Sequence, residues 1–383
     1  MNEYPLPDGW RWANLSQICT VHPGQHILEA HYNREGVGIG YLTGPDDFGK
    51  IYPTVTKWTE SPRAWCQPGD ILVTVKGAGV GKSNLAPEEK VSIGRQLMAI
   101  RPIADTIDQL FLYNHLVFQL SGIRKQATGS TVPGLTRTDI ENIYVLLPPL
   151  NEQRRIVAKI QELMQDVDRA RTACEEQLEA AKALPAAYLR EIFESDEVKG
   201  WERKSLSDVC EIIMGQSPPS DSYNKEKLGL PFFQGKADFG DYFPTAQIWC
   251  SAPKKIAKPN DILISVRAPV GPVNLSNQKC CIGRGLSALR PNEKLNFWFL
   301  FFHLKEIENS WKGSGSTFEA IKKHDLDIIR VPAPPYSVQE SIVSEIRKKL
   351  SISKSLQSLT QIKINSLDAL LQAILKRAFR GEL

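Results

Sequence analysis

The chain carries one sequence pattern twice. Trp10-x4-Leu15-x3-Cys19 recurs as Trp201-x4-Leu206-x3-Cys210, Gly24-Gln25 as Gly215-Gln216, and Asp47-Phe48-Gly49 as Asp238-Phe239-Gly240. Asp70-Ile71-Leu72 returns as Asp261-Ile262-Leu263, and Ile93-Gly94-Arg95 as Ile282-Gly283-Arg284. The pairing continues through His115-Leu116 with His303-Leu304 and Gly129-Ser130-Thr131 with Gly315-Ser316-Thr317. It ends with Pro148-Pro149 and Pro334-Pro335, Gln153 and Gln339, and Phe193 and Phe379. The offset between partners shrinks by a few residues along the way, as short loop deletions in one copy produce. The chain is therefore two copies of one unit. A duplicated unit gives a pseudo-twofold molecule, suited to a twofold or bipartite target.

Each copy opens with short β-type runs separated by turns. Ile71-Leu72-Val73-Thr74-Val75 reads as a buried strand launched by Pro68-Gly69-Asp70, and Ile262-Leu263-Ile264-Ser265-Val266 follows Pro259-Asn260-Asp261 in the same way. Residues 111–120 and 298–307 are apolar at helical spacing. Tyr144-Val145-Leu146-Leu147 and Ile328-Ile329-Arg330-Val331 read as final strands, each closed by a double proline. The globular parts are thus mixed α and β.

After each Pro-Pro the pattern changes. From Asn151 no glycine occurs until Gly200. Ile156, Ile160, Leu163, Val167, Ala170, Cys174, Ala181, Leu184 and Tyr188 follow steps of three and four, interrupted once at the polar Gln177, as in a coiled-coil seam. At ~1.5 Å per residue such a helix is roughly 65 Å long. Pro185 is a kink candidate, because it removes a backbone donor. The second copy has Ile342, Ile346, Leu350, Leu356, Leu359, Leu367, Leu370 and Ile374, with a break in register near Ser351 to Ser353. If the two helices pair, chain order makes them antiparallel, with one globular part at each end. The expected fold class is α+β: two mixed α/β parts separated by a pair of long antiparallel coiled-coil helices.

Composition narrows the functional classes. At 42% hydrophobic and 23% charged the chain is an ordinary globular protein. No apolar run approaches the ~20 residues that span a bilayer. Met1-Asn2-Glu3-Tyr4-Pro5-Leu6-Pro7 lacks a basic segment followed by an apolar one, so a cytoplasmic location is expected. The net charge of +4 permits nucleic-acid binding without arguing for it. The seven cysteines contain no CxxC pair, which excludes a zinc or disulfide framework, and Cys19 and Cys210 are expected to be buried as small hydrophobes.

Catalytic motifs fail on inspection. Gly77-Ala78-Gly79-Val80-Gly81-Lys82-Ser83 resembles a P-loop but has three residues between its outer glycines, not four, and Ala268-Pro269-Val270-Gly271-Pro272-Val273 lacks the Lys and Ser. Ala333-Pro334-Pro335-Tyr336 resembles the loop of amino-methyltransferases without its leading Asn or Asp. His22 and His26 flank Pro23-Gly24 and have no counterparts, so no metal site is expected; His115 and His303, on apolar helices, read as packed core residues.

Several of these segments together resemble the specificity subunits of type I restriction-modification enzymes. Leu147-Pro148-Pro149-Leu150-Asn151-Glu152-Gln153-Arg154-Arg155-Ile156-Val157 resembles the start of that family's central helix, and Ala333-Pro334-Pro335-Tyr336-Ser337-Val338-Gln339-Glu340-Ser341-Ile342-Val343 is a weaker copy. The ending Ile374-Leu375-Lys376-Arg377-Ala378-Phe379-Arg380-Gly381-Glu382-Leu383 is similar to its C-terminal signature; Leu6-Pro7-x-Gly9-Trp10 and Lys199-Gly200-Trp201 resemble the openings of its target recognition domains. Tyr336 and Val338 depart from the first copy's Leu and Glu. The resemblance implies target recognition domains at residues 1–149 and 200–335, and spacer helices at 150–199 and 336–383. It implies a non-catalytic subunit that reads a bipartite site in double-stranded DNA and docks two methyltransferase subunits. Two restriction subunits can join. S-adenosylmethionine, ATP and magnesium are then cofactors of the partners, with none of the chain's own.

For DNA, residues matched between the copies are expected to be scaffold or phosphate contacts, and divergent ones to carry sequence specificity. The matched candidates are Ser130 and Thr131 with Ser316 and Thr317, Lys76 with Arg267, and Arg95 with Arg284; Arg124, Lys125 and Lys312 are basic neighbours. The divergent candidates are Lys82-Ser83-Asn84, Lys236 and Lys322-Lys323. Asp70 and Asp261 are expected to form turns. Ile156, Ile160, Leu163, Val167, Ile342, Ile346, Leu356, Leu367, Leu370 and Ile374 are expected to pack the helices together.

Overall fold

A computed structural model describes residues 8–77, 79–126, 134–308 and 320–383, with the backbone alone over 121–126. The chain divides into two compact units, Met1–Cys174 with Ile362–Leu383, and Glu175–Gln361. Each contains one globular part and a segment of both long helices.

In the first unit the Gln67–Asp70 turn launches strand Ile71–Thr74, every residue of which is buried. Asp70 holds that turn, accepting from Gln67 N (2.9 Å), and its buried carboxylate also receives Arg101 Nε and Nη2 at 2.8 and 2.9 Å. Ile71–Thr74 is flanked by Leu97–Pro102 and Ser83–Leu85, with Cys19–Pro23 outside Leu97–Pro102; all these pairings are antiparallel. A second sheet sets Ile39–Leu42 parallel to Val91–Ile93, with Trp58–Thr59 and Trp65–Cys66 at its edges. Arg11–Asn14 pairs with Tyr144–Leu147 and ties the start of the globular part to its last strand.

The second unit repeats this topology. Cys210–Met214, Leu286–Pro291, Ile262–Ser265 and Val273–Leu275 form the antiparallel sheet, and Leu230–Phe233 runs parallel to Cys280–Ile282 in the other, which gains the short strand Tyr223–Asn224. Asp261 again accepts from Lys258 N (2.7 Å) and from Arg290 Nε and Nη2 (2.9 and 2.8 Å). The expected turn roles of both aspartates hold, and the arginine partners add an ion pair that the spacing did not reveal. Glycine is required where Gly24 and Gly215 meet the carbonyls of Gly94 and Gly283, since a Cβ would collide with backbone.

The last strand of the second part begins later than expected. Ile328 and Ile329 follow helix Lys323–Asp327, Ile328 is exposed, and the strand is Arg330–Pro332. The apolar pair belongs to a helix end, where short-run periodicity does not separate strand from helix.

The long helices span Leu150–Phe193 and Tyr336–Ala378. Each start is latched by the glutamine of the repeat. Buried Gln153 accepts from Asp108 N (2.7 Å) and donates to Pro148 O (2.8 Å); Gln339 does the same with Asn296 N and Pro334 O at the same distances. Each end completes a core. Phe193 packs on Phe299 and His303 in the second unit, and Phe379 on Phe111, His115 and Phe118 in the first. The two histidines are buried core residues, as expected, and burial pushes both down to about 4. Cys19 and Cys210 are buried likewise, their thiols pushed up to about 12 by desolvation.

Within each unit the helix segments run antiparallel. Arg155 donates to Leu383 O and Arg171 pairs with Asp368 in the first unit, while Lys349 pairs with Glu191 and Ser353 meets Ala181 in the second. Ile156, Ile160, Val167, Ile346 and Ile374 are buried, and Leu163, Ile342 and Leu367 half-buried. Leu356 and Leu370 correct the expected seam: both are more than 40% exposed, with Leu356 at 42% and Leu370 at 46%. The buried stripe of the second helix runs instead through Ser353, Thr360 and Ile364.

The polar stretch of that stripe has a cause. Pro185 lies inside the first helix and has no N–H to give Ala181 O, four residues earlier. Ser353 Oγ and Gln357 Nε2 each donate to that carbonyl at 3.0 Å. The register break is where the second helix satisfies an acceptor freed by proline in the first.

Candidate nucleic-acid interface

In the second unit three backbone segments converge on one concavity of about 220 Å³. The end of strand Ile262–Ser265 continues into Arg267, the loop Gln234-Gly235-Lys236 closes one side, and Arg284-Gly285 the other. Lys236, Arg267 and Arg284 are all exposed around it. Three sequence candidates from separate segments are thereby brought together. Arg267 also bridges to Ala320, and Ile321 N donates to Val266 O (2.8 Å), so exposed Lys322 and Lys323 leave directly from beside it.

The first unit builds the same frame. Val75 N donates to Gln96 O at 2.8 Å, as Val266 N does to Gly285 O at 2.9 Å. Asp47 accepts from Thr43 N, and Asp238 from Gln234 N, both at 2.6 Å. Lys76 and Arg95 are exposed at the positions of Arg267 and Arg284. The interior differs. Gln96 stands where the second unit has Gly285, and its Oε1 fills the space a Cβ on Gly44 would need. Sequence reasoning missed this pair. The available signal was its place one residue after the matched Arg95 and Arg284, in the same tight turn.

Asn84 departs from the expectation of a base-reading side chain. It is 2% exposed, and its Nδ2 donates to Gly49 O (3.2 Å); Asn274, 1% exposed, donates to Gly240 O (2.9 Å). It is a matched scaffold residue that pins a neighbouring loop. Lys82 and Ser83 are half-buried on the hairpin joining Ile71–Thr74 to Ser83–Leu85. That hairpin leads from strand to strand, whereas a P-loop leads from strand into a helix whose N-terminus cradles phosphate. Ser130, Thr131, Lys312, Ser316 and Thr317 lie outside the described residues. Arg124 and Lys125 lie on helix Gln109–Gln126, where only the backbone is described.

His22 sits on strand Cys19–Pro23 with its Nε2 2.9 Å from Thr20 Oγ1, and His26 is an exposed loop residue. Among the described residues no group of three or more His, Cys, Asp or Glu is arranged to hold a metal. No described helix is long and apolar enough to cross a membrane. Chemically, the concavity offers guanidinium and ammonium donors to an acceptor-rich partner, which is what phosphate oxygens and purine edges present.

Comparison with known proteins agrees with this geometry. The family model for the type I restriction modification DNA specificity domain matches residues 7–180 and again 198–365. A type I restriction enzyme specificity subunit of Methanocaldococcus jannaschii, MjaX, is 34% identical over 377 residues, covering 89% of this chain and 87% of that protein. A solved chain from work on complex assembly and conformational transition of a type I restriction-modification system superposes with a TM-score of 0.78 at 35% identity, over 99% of this chain and 100% of its own. The HsdS subunit of Thermoanaerobacter tengcongensis gives 0.69 at 35% identity, over 100% and 99%. With two matched domains carried on long helices, the chain belongs to the family of type I restriction-modification specificity subunits.

Proposed function

We propose that each globular part reads one half of a bipartite DNA site, and that the long helices set the gap between the halves and dock methyltransferase subunits. The observation that carries this reading is the repeated strand-and-turn frame, with matched exposed cations at Lys76 and Arg267 and at Arg95 and Arg284, and a divergent pair at Gln96 and Gly285. Shared cations suit the phosphate backbone, which is alike at every site, and a divergent pair suits two different half-sites. The functional parts are then residues 1–149 and 200–335 as readers and 150–199 and 336–383 as spacers. Lys76, Arg95, Arg267 and Arg284 hold phosphates or base edges, with Lys236, Lys322 and Lys323 beside them in the second reader. The chain acts without catalysis of its own, in the cytoplasm. S-adenosylmethionine, ATP and magnesium serve two methyltransferase subunits and up to two restriction subunits.

Matched insertions in both helices test the spacer role. One added heptad lengthens a helix by ~10 Å, which is about three base pairs of duplex. The recognised gap should lengthen by that amount with both half-sites unchanged. Altered half-sites, or an unchanged gap, would overturn the spacer role.

A further inference from the structure

We propose that position 96, and its counterpart 285, determine which base each reader accepts. The inference rests on the DNA-reading function proposed above and assigns the residue that discriminates. In the first unit the Gln96 side chain is exposed and lies across Gly44, with its Nε2 turned toward Gly77, 3.7 Å from where that residue's Cβ would stand. An exposed carboxamide is thus held between the Gly44 and Gly77 segments, at chain positions next to the exposed Lys76 and Arg95. In the second unit Gly285 leaves the same space open, and no side chain fits there, because a Cβ would strike Gln234 O. The open floor is bordered instead by Lys236, at the position of Pro45, and by Arg284.

The two floors differ in donor pattern. A carboxamide both donates and accepts, which matches the N6 and N7 groups of adenine; cations only donate, which matches O6 and N7 of guanine. Gln96 therefore selects an adenine in the half-site of the first reader. The open floor of the second admits a guanine edge between Lys236 and Arg284.

The test uses the complex reconstituted with type I methyltransferase subunits, and selection of bound duplexes from a randomised library. Wild type should yield a split motif. Gln96→Ala should relax one adenine position in one half-site by roughly 5- to 150-fold and leave the other half-site intact. The intact half-site, read by the same chain, controls for assembly. Gln96→Glu keeps the shape and removes the donor, so it should move the preference at that position from adenine to cytosine, whose N4 donates. It decides the matter if the alanine variant does not assemble. Unchanged preferences in either assembled variant, or weaker binding to all sequences alike, overturn the assignment. A wild-type complex with no split preference overturns the DNA-reading function beneath it.

Discussion

The contact between Pro185 and the second helix makes a quantitative prediction. Ala181 O lacks its helical donor because Pro185 has no N–H, and Ser353 Oγ and Gln357 Nε2 both reach it at 3.0 Å. Ser353 is fully buried. Removing both donors, as Ser353→Ala with Gln357→Ala, leaves a buried acceptor unpaired, at a cost of about 1–3 kcal/mol. The same pair of substitutions made together with Pro185→Ala should cost much less, because the restored backbone N–H bonds the carbonyl. The expected coupling in the cycle is therefore about 1–2 kcal/mol. Peptide-resolved native-state hydrogen exchange over residues 178–193 reads the opening free energy locally, so the other unit does not enter the value. Equal costs with and without Pro185 would show that Ser353 and Gln357 do not stand in for the missing backbone donor.

Two further outcomes follow from the cores. Phe379→Ala removes a ring whose centroid lies 4.7 Å from His115 and 5.5 Å from Phe111, so it should destabilise the first unit by about 3–5 kcal/mol. Exchange should accelerate in residues 8–174 and not in 175–361; equal acceleration in both would contradict the division of the cores. His115 and His303 titrate near 4 when folded and near 6.5 when unfolded. Below pH 6.5 the unfolded chain binds more protons, so stability is lost as pH falls from 6.5 toward 4, by at most about 1.4 kcal/mol per pH unit for each histidine. Denaturation midpoints measured from pH 7 to 4.5 should fall more steeply in the wild type than in a chain with both histidines changed to leucine. Equal slopes would show that the histidines do not carry the effect.

The duplication, the helix starts and the mixed α/β parts were legible because they rest on identities at fixed spacing. Gln153 and Gln339 stood out as a matched pair, although their role as latches needed coordinates. The seam of the second helix was misread at Leu356 because apolar spacing assumes an apolar seam, and here Ser353 and Gln357 serve a carbonyl freed by a proline in the opposite helix; at Leu370 the buried positions are instead Ile364 and Ile374. Asn84 was grouped with a divergent loop because a one-residue deletion hides its pairing with Asn274. The concavity was half visible. Arg267 and Arg284 repeat Lys76 and Arg95, whereas Lys236 stands where the first copy has Pro45; the three are far apart in sequence and only the packing of two sheets brings them together. Gln96 is exposed and Gly285 buried, and what each does is set by the backbone it faces, Gly44 for the glutamine and Gln234 O for the glycine.

On the function proposed above, this one chain reads a split DNA site. The test is the methylome of a host carrying this chain together with type I methyltransferase subunits, compared with the same host lacking the chain. A new adenine mark at two short half-sites around a fixed gap, present only with the chain, is expected. An assembled complex that leaves no new mark, or marks a single uninterrupted motif, would contradict it.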